Sequence, residues 1–466
     1  MKPFAPMDVL SRAEEDAIHS SVLRILDEVG VRVEEDSILA RLSDFGAQVD
    51  PDRRLARFSP ALVEGVLESC EPFDWDGITP SVTASAGVYL GAYLDPQTDE
   101  FAPWNLRRLA DYAKVAHHLE NVQIGGMLGC PIEGVPRGVH PLHQRYLCWK
   151  YGFGVGGSIW ELGLAPYILQ MGEVMGSATG RDPAEFFSAA VYLQSPLKFG
   201  EPEAEQYAWF ARRGYRVVVG NMMAAGGTGP ATLAGAVALQ TAECLFIHML
   251  QRAYWGERGL CLGCSITPLD MQRGMYPYGR PERPLAALAM AQMARRYRVR
   301  FAGHGGHTDA KRPSAEAGAQ KVLTSLPLLM AGGSADISAG LLSVDAVFSP
   351  VQMVLDDELT GALRRFARGF EITEETLALD EIKAVGPGGC FTGTEHTLRH
   401  YREEHWQPGL WTREMLASWL ESGAKTDAER AWERCRDILA EPDLPPGIDE
   451  ATERELLAVI DGAGEA

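Results

Sequence analysis

Between about residues 104 and 369 the chain alternates short β-rich runs with helical stretches, and this alternation constrains its fold more than any other feature. The strand candidates are residues 122–127, 153–159, 186–193, 216–222, 260–266, 299–303, 335–339 and 347–351. Amphipathic or Ala-rich segments separate them, as at 164–175, 230–253, 283–296 and 315–330. Eight apolar strands alternating with helices over about 265 residues is the pattern of a (β/α)8 TIM barrel. A doubly wound open sheet has the same local signature, but it usually carries a glycine fingerprint after its first strand. Gly125-Gly-Met-Leu-Gly is not followed by one. The expected fold is therefore α/β, a TIM barrel over residues 104–369.

The flanks read differently. Residues 1–103 are expected to form an N-terminal helical region plus a small β-hairpin segment. Ala17, Val22, Ile25, Leu26 and Val29 recur at helical spacing and Gly30 stops the run, while Ser59 and Pro60 open a later helix. Between 73 and 103 the period falls to two, in Ser81-Val-Thr-Ala-Ser and Gly87-Val-Tyr-Leu-Gly, which predicts the hairpin. Residues 370–466 are acidic and read as a C-terminal helical extension packed on the barrel. Trp406, Trp411, Trp419 and Trp432 are its expected anchors, and residues 441–447 an exposed linker.

Charge narrows the partners. Lys and Arg number 43 against 63 Asp and Glu, a net charge of −20, which excludes phosphate-backbone binding and attraction to an anionic membrane. No run of 18 apolar residues occurs, so no membrane span is expected. The N-terminus meets acidic residues early and predicts no signal peptide, and 8 scattered Cys fit reduced thiols in the cytoplasm.

In a TIM barrel, chemistry belongs to the loops after the strands. The sharpest local cluster is His304, His307 and Asp309, in Gly303-His-Gly-Gly-His-Thr-Asp. It suits a metal or acid–base site, since His and Asp supply nitrogen and oxygen ligands at short range. The alternative is a loop in which one His bonds backbone and Asp309 caps the next helix. Gln194 and Met222 follow the third and fourth strands. Tyr93, Trp160, Tyr192, Tyr276, Tyr278 and Phe348 lie near the inferred loops, and aromatic faces around a cavity hold quaternary ammonium groups by cation–π attraction. Cys261 and Cys264 point to opposite faces of one strand and cannot chelate one ion. His396 and His400 share a helix face but have no third ligand nearby in sequence. No P-loop or nucleophile elbow occurs, and Gly152-Phe-Gly-Val-Gly-Gly overlaps a strand, where a dinucleotide fingerprint would follow one.

Several stretches, in order, resemble the trimethylamine methyltransferase superfamily. They are Ile25-Leu-Asp-Glu-Val-Gly-Val-Arg-Val, Phe58-Ser-Pro-Ala-Leu-Val-Glu, Gly226-Gly-Thr-Gly-Pro-Ala-Thr-Leu-Ala-Gly with Ala242-Glu243, Gly305-Gly-His-Thr-Asp-Ala-Lys, Val385-Gly-Pro-Gly-Gly and His396-Thr-Leu-Arg-His-Tyr-Arg. The resemblance implies methyl transfer from a methylated amine to the Co(I) corrinoid (cobalamin) of a separate corrinoid protein, and self-association of the chain. The family's trimethylamine enzymes carry pyrrolysine, whereas every residue in this chain is standard. That places it with the branch without pyrrolysine, whose substrates include glycine betaine and similar quaternary amines. With no DxHxxG segment, the chain is expected to hold no tightly bound cofactor itself.

On this reading His304, His307, Asp309 and Glu243 are the catalytic candidates and no metal is expected. Tyr93, Trp160, Tyr192, Gln194, Met222, Tyr276, Phe348 and Arg312 would bind substrate, with His304, His307 or Arg312 donating to a betaine carboxylate. Two rivals remain: a metal-dependent TIM-barrel hydrolase built on His304, His307, Asp309 and Glu243, and a non-catalytic protein that binds quaternary amines.

Overall fold

The computed structural model describes residues 7–465 apart from 88–90, 126–130, 153, 155, 156, 158, 332 and 333. The N-terminal region follows its local signals. Ser11 and Glu14 form a reciprocal cap that opens the Arg12–Arg24 helix, which runs on through a π turn to Val29. Gly30 ends it at φ +77°, where a Cβ would lie 2.5 Å from the Ala56 carbonyl oxygen, so only glycine fits. Ser59 caps the Pro60–Glu68 helix with proline in its first turn. Three short antiparallel strands, Val31–Val33, Gln48–Asp50 and Leu55–Arg57, form an apron that pairs in parallel with Lys198–Phe199.

The centre is an α/β array of parallel strands. Ala190–Gln194 pairs with Val218–Ala225, which pairs with Ile266–Pro268. Only Ser265 separates that last strand from Cys261–Cys264, which pairs with Arg300–Gly305. The series continues through Ser334–Ser338 and Ser81–Ala86 to Val122–Ile124. Among the described residues no ladder joins Val122–Ile124 back to Ala190–Gln194, so the ring of strands is not closed. The Ala190 N–H does donate to the Gly157 carbonyl in the intervening segment.

Two expected strands change place. Ser81–Ala86, read from sequence as part of a hairpin, is paired in parallel on both sides within the central array. Residues 347–351 do not belong to that array. Val347–Phe348 pairs with Ala92–Leu94 in a separate four-stranded sheet, and the Pro350–Arg368 helix begins at once, capped by Ser349. The Ser-Pro dipeptide is a helix start, and it outweighs the apolar run around it. Most of the expected strand at 153–159, half of the glycine motif at 152–157 and part of the hairpin at 87–91 lie outside the described residues.

Helices cover the outer face. The Leu233–Trp255 helix is long and apolar enough to cross a membrane by length and composition, but 78% of its most apolar stretch is buried inside the fold. It packs as a core helix against Arg12–Arg24 and Val218–Ala225. At the other end of the chain, Asp427–Ala440 packs on Pro350–Arg368, and Glu450–Glu465 packs on Ala165–Thr179 and His140–Lys150. The 441–447 segment is tethered at both ends. The buried Lys114 ammonium donates to the Leu439 and Glu441 carbonyls, and the Gly447 N–H donates to the Lys150 carbonyl at 2.7 Å. The four helices Glu374–Leu377, Leu379–Val385, Glu395–Glu404 and Leu416–Glu421 contain no buried residue.

Candidate functional site

Along the parallel strands, side chains alternate between the helix-covered face and an inner one. Val82, Val191, Leu193, Phe301 and Ile337 point outward and are buried. The inner-face residues are small, polar or solvent-exposed, unlike the apolar packing usual on both faces of a parallel sheet. Tyr192 is 50% exposed and Met222 58%. Gly220 makes room for the Tyr192 ring, since a Cβ there would sit 2.9 Å from it. Next to the Cys261–Cys264 backbone, Gly263 has no atom within 4 Å of its missing Cβ. The inner face is an open, water-accessible space.

Strand register places His304 beside Asp336, and Asp336 beside Thr83. One Asp336 carboxylate oxygen accepts from Thr83 Oγ1 at 2.7 Å and from Ser85 Oγ at 2.9 Å. Its second oxygen takes no hydrogen bond among the described residues, and the side chain is part-buried. Burial and the Arg283 guanidinium lower the His304 pKa, and Asp336 only partly offsets them.

His307 lies in the loop after that strand and is buried. Its backbone exchanges hydrogen bonds with Thr324 Oγ1, and its Nε2 lies 3.4 Å from Ser338 Oγ. Its Nδ1 is buried without a hydrogen-bond partner. Burial, reinforced by Arg283, His304 and Lys321, holds its pKa well below the usual imidazole value, so it is neutral. The Tyr278 ring stands edge-on to it at 5.1 Å, and the Arg283 guanidinium stacks over the same ring at 4.2 Å. Beneath this loop, Lys321 and Asp356 form a fully buried ion pair at 2.8 Å. Asp356 also accepts from the Gly340 N–H and Gln352, and Lys321 donates to the Ser338 carbonyl.

Other expected site residues are committed elsewhere. Asp309 does not join the histidines: its oxygens accept the N–H groups of Tyr278 and Gly279 at 2.7 and 3.1 Å. Glu243 is fully buried on the Leu233–Trp255 helix and accepts from Ser195 Oγ, the Leu197 N–H and Asn221 Nδ2 at 2.8 to 3.1 Å. Burial raises its pKa and those three donors pull it back. It ties strand ends together and does not reach the open space. Tyr93 and Phe348 are core residues packed on Trp104, so neither forms a cage wall. Arg312 sits on the surface, paired with Asp99 and stacked over Phe101 at 4.9 Å.

Tyr192 and Met222 line the inner face, and Gln194 shares it at the strand end, 3.5 Å from Glu203. Trp160, with its ring 5.8 Å from that of His140, and Tyr276 are exposed in loops. The loops around Ala225, Leu233 and Pro268 enclose a cleft of about 510 Å³ that reaches Met271 and Arg280. Asp336 and Arg283 escaped the sequence reading. An acid in the strand Ser-Ala-Asp-Ile-Ser was the available sign, because a strand covered on both faces tolerates none. Among the described residues no three His, Cys, Asp or Glu side chains gather as a metal ion would require.

A family model described as trimethylamine methyltransferase matches residues 1–84 and 92–463. The chain is 26% identical to a glycine betaine methyltransferase of Desulfitobacterium hafniense (strain Y51), over 98% of this chain and 97% of that one. It is 28% identical to a trimethylamine methyltransferase of the same species (strain DSM 10664 / DCB-2), over 96% and 92%. The solved structure of the Methanosarcina barkeri monomethylamine methyltransferase is similar in fold, with a TM-score of 0.51 at 13% identity, covering 94% of this chain and 88% of that one.

Proposed function

This chain belongs to the trimethylamine methyltransferase family, and on that premise we propose that it moves a methyl group from a quaternary amine to the Co(I) corrinoid of a separate protein. The parallel α/β array supports a barrel-like reading of the fold, in which its inner face is the reaction chamber. The observation that carries this reading is the row His304, Asp336, Thr83 facing an open space walled by Tyr192 and Met222.

The chemistry asks little of the protein. A quaternary ammonium leaves as a neutral amine, so no acid is needed to protonate the leaving group. The corrinoid, a co-substrate, supplies the nucleophile when its carrier docks. This chain's residues hold and aim the methyl donor for in-line displacement. The free oxygen of Asp336 provides negative potential, and Tyr192 presents an aromatic face to the cation. Neutral His304 and His307 add no repulsion. Trp160, Met271 and Tyr276 are exposed apolar side chains available to the docking carrier. A chain built of standard residues alone fits the branch without pyrrolysine.

The test is to mix the protein with cob(I)alamin and, separately, trimethylamine, glycine betaine and choline, following the absorbance change as cobalt is methylated. One of the three is expected to react, and Asp336→Asn to lower its kcat/KM on the order of tenfold, about 1.4 kcal/mol of lost transition-state stabilisation. No methylation from any of them withdraws the transferase reading. An unchanged kcat/KM in Asp336→Asn moves the reaction away from this face.

A further inference from the structure

Arg283 is only 7% exposed, and a buried guanidinium is costly unless an anion compensates it. Among the described residues no carboxylate pairs with it. Its partners are neutral: Tyr278, through both its ring and its side-chain hydrogen bond, and Thr267 Oγ1 at 3.2 Å. Asp309 lies within electrostatic range, but its oxygens are taken by the Tyr278 and Gly279 N–H groups. The second observation is independent. His307 is 8% exposed, its Nδ1 has no partner, and its ring touches the same tyrosine from the edge. In the tautomer where Nε2 accepts from Ser338 Oγ, Nδ1 carries the proton and is a donor with nothing to donate to. A guanidinium without a counter-ion among the described residues and an imidazole nitrogen without a partner therefore flank one aromatic ring. The only carboxylate in the His304 row, Asp336, lies on a different strand.

We infer that Arg283 and His307 form an anion pocket that takes the carboxylate of a zwitterionic methylammonium substrate, with the ammonium toward Asp336 and Tyr192. This deepens the function proposed above and rests on it. A planar carboxylate matches the Arg283 fork, which donates two parallel hydrogen bonds at a fixed angle. A choline-like alcohol leaves the guanidinium uncompensated and is rejected. Specificity of this kind comes from the penalty of an unpaired buried charge, which a hydrophobic pocket cannot supply.

Calorimetric titration of the protein with glycine betaine, glycine betaine ethyl ester and choline separates the outcomes. The three share a trimethylammonium group, and only the first carries a carboxylate. Glycine betaine is expected to bind at least tenfold more tightly than the other two. Arg283→Met is expected to lose that tenfold and to bind choline within twofold of the unaltered protein. Equal binding of all three by the unaltered protein, or an unchanged preference in Arg283→Met, overturns the anion pocket and leaves the methylamine reading standing. Binding of none of the three overturns both. The comparison of ester with acid needs no variant, so it decides even where Arg283→Met fails to fold.

Discussion

Two groups of buried polar side chains lie in the same α/β array, and they differ in what is left over. In one, every partner is found. Glu243 meets three donors, and the neighbouring Gln240 and Ser265 are tied to Asn221. Lys321 and Asp356 satisfy each other and the adjacent backbone. In the other, Arg283 has no counter-ion among the described residues and His307 has an unused nitrogen, while part-buried Asp336 nearby keeps one oxygen without a hydrogen bond. Buried polar groups in proteins are nearly always satisfied, so saturation marks the groups that hold the fold, and its absence marks those held in readiness for a ligand. Residue type does not draw this line: Glu243 and Asp336 are both acids on or beside parallel strands.

The comparison breaks most directly at Lys321. Lys321→Met strands a buried Asp356 and is expected to cost about 3 to 5 kcal/mol, seen as a large fall in melting temperature, whereas Lys321→Met with Asp356→Leu restores most of it. If the double variant melts no higher than the single one, the pair is not an isolated structural unit. Glu243→Ala leaves three donors without an acceptor and is expected to cost roughly 2 to 3 kcal/mol, with ligand affinity of the folded protein kept. A variant that melts normally but no longer binds would return Glu243 to the site.

The smallest effect concerns protons. His304 and His307 have folded pKa values below the ordinary 6.5, so the unfolded chain binds more protons below that pH. Stability is therefore full above pH 6.5 and falls as pH drops beneath it, by up to about 1.4 kcal/mol per pH unit for each such group. Melting temperatures from pH 7.5 to 5.5 should show this fall, and His307→Asn should flatten it. An equal slope in that variant would assign the dependence to His143 and His248, which burial also lowers.

The sequence made much of the scaffold legible, because apolar period, caps and breakers are local. The Arg12–Arg24 and Pro60–Glu68 helices and most strands of the central array fall where those signals place them. Ser81–Ala86 was misread because its inward residues are Ser and Thr, which suggest a surface hairpin when the partner strands are unseen. His304 and His307 stood out in a glycine-rich loop. Arg283 could not, since an arginine in the first turn of a helix looks like ordinary surface until the Tyr278 loop is folded over it. Tyr93 and Phe348 illustrate the reverse error. An aromatic beside a predicted loop is a cage wall or a core plug depending on which way it faces, and the apolar run at 347–351 concealed that.

The pairing of Thr83 with Asp336 spans 253 residues of chain. At 5 to 20 residues per second, the Ser81–Ala86 strand leaves the ribosome roughly 13 to 50 s before the strand that supplies its acid. Its hydroxyls, and one edge of its backbone, wait that long without their final partner. The reaction face is thus assembled late in synthesis, from strands that are neighbours in the array but far apart in the chain, and a nascent chain paused before Ser334 would present an unpaired parallel edge to whatever chaperone or neighbouring chain reaches it first.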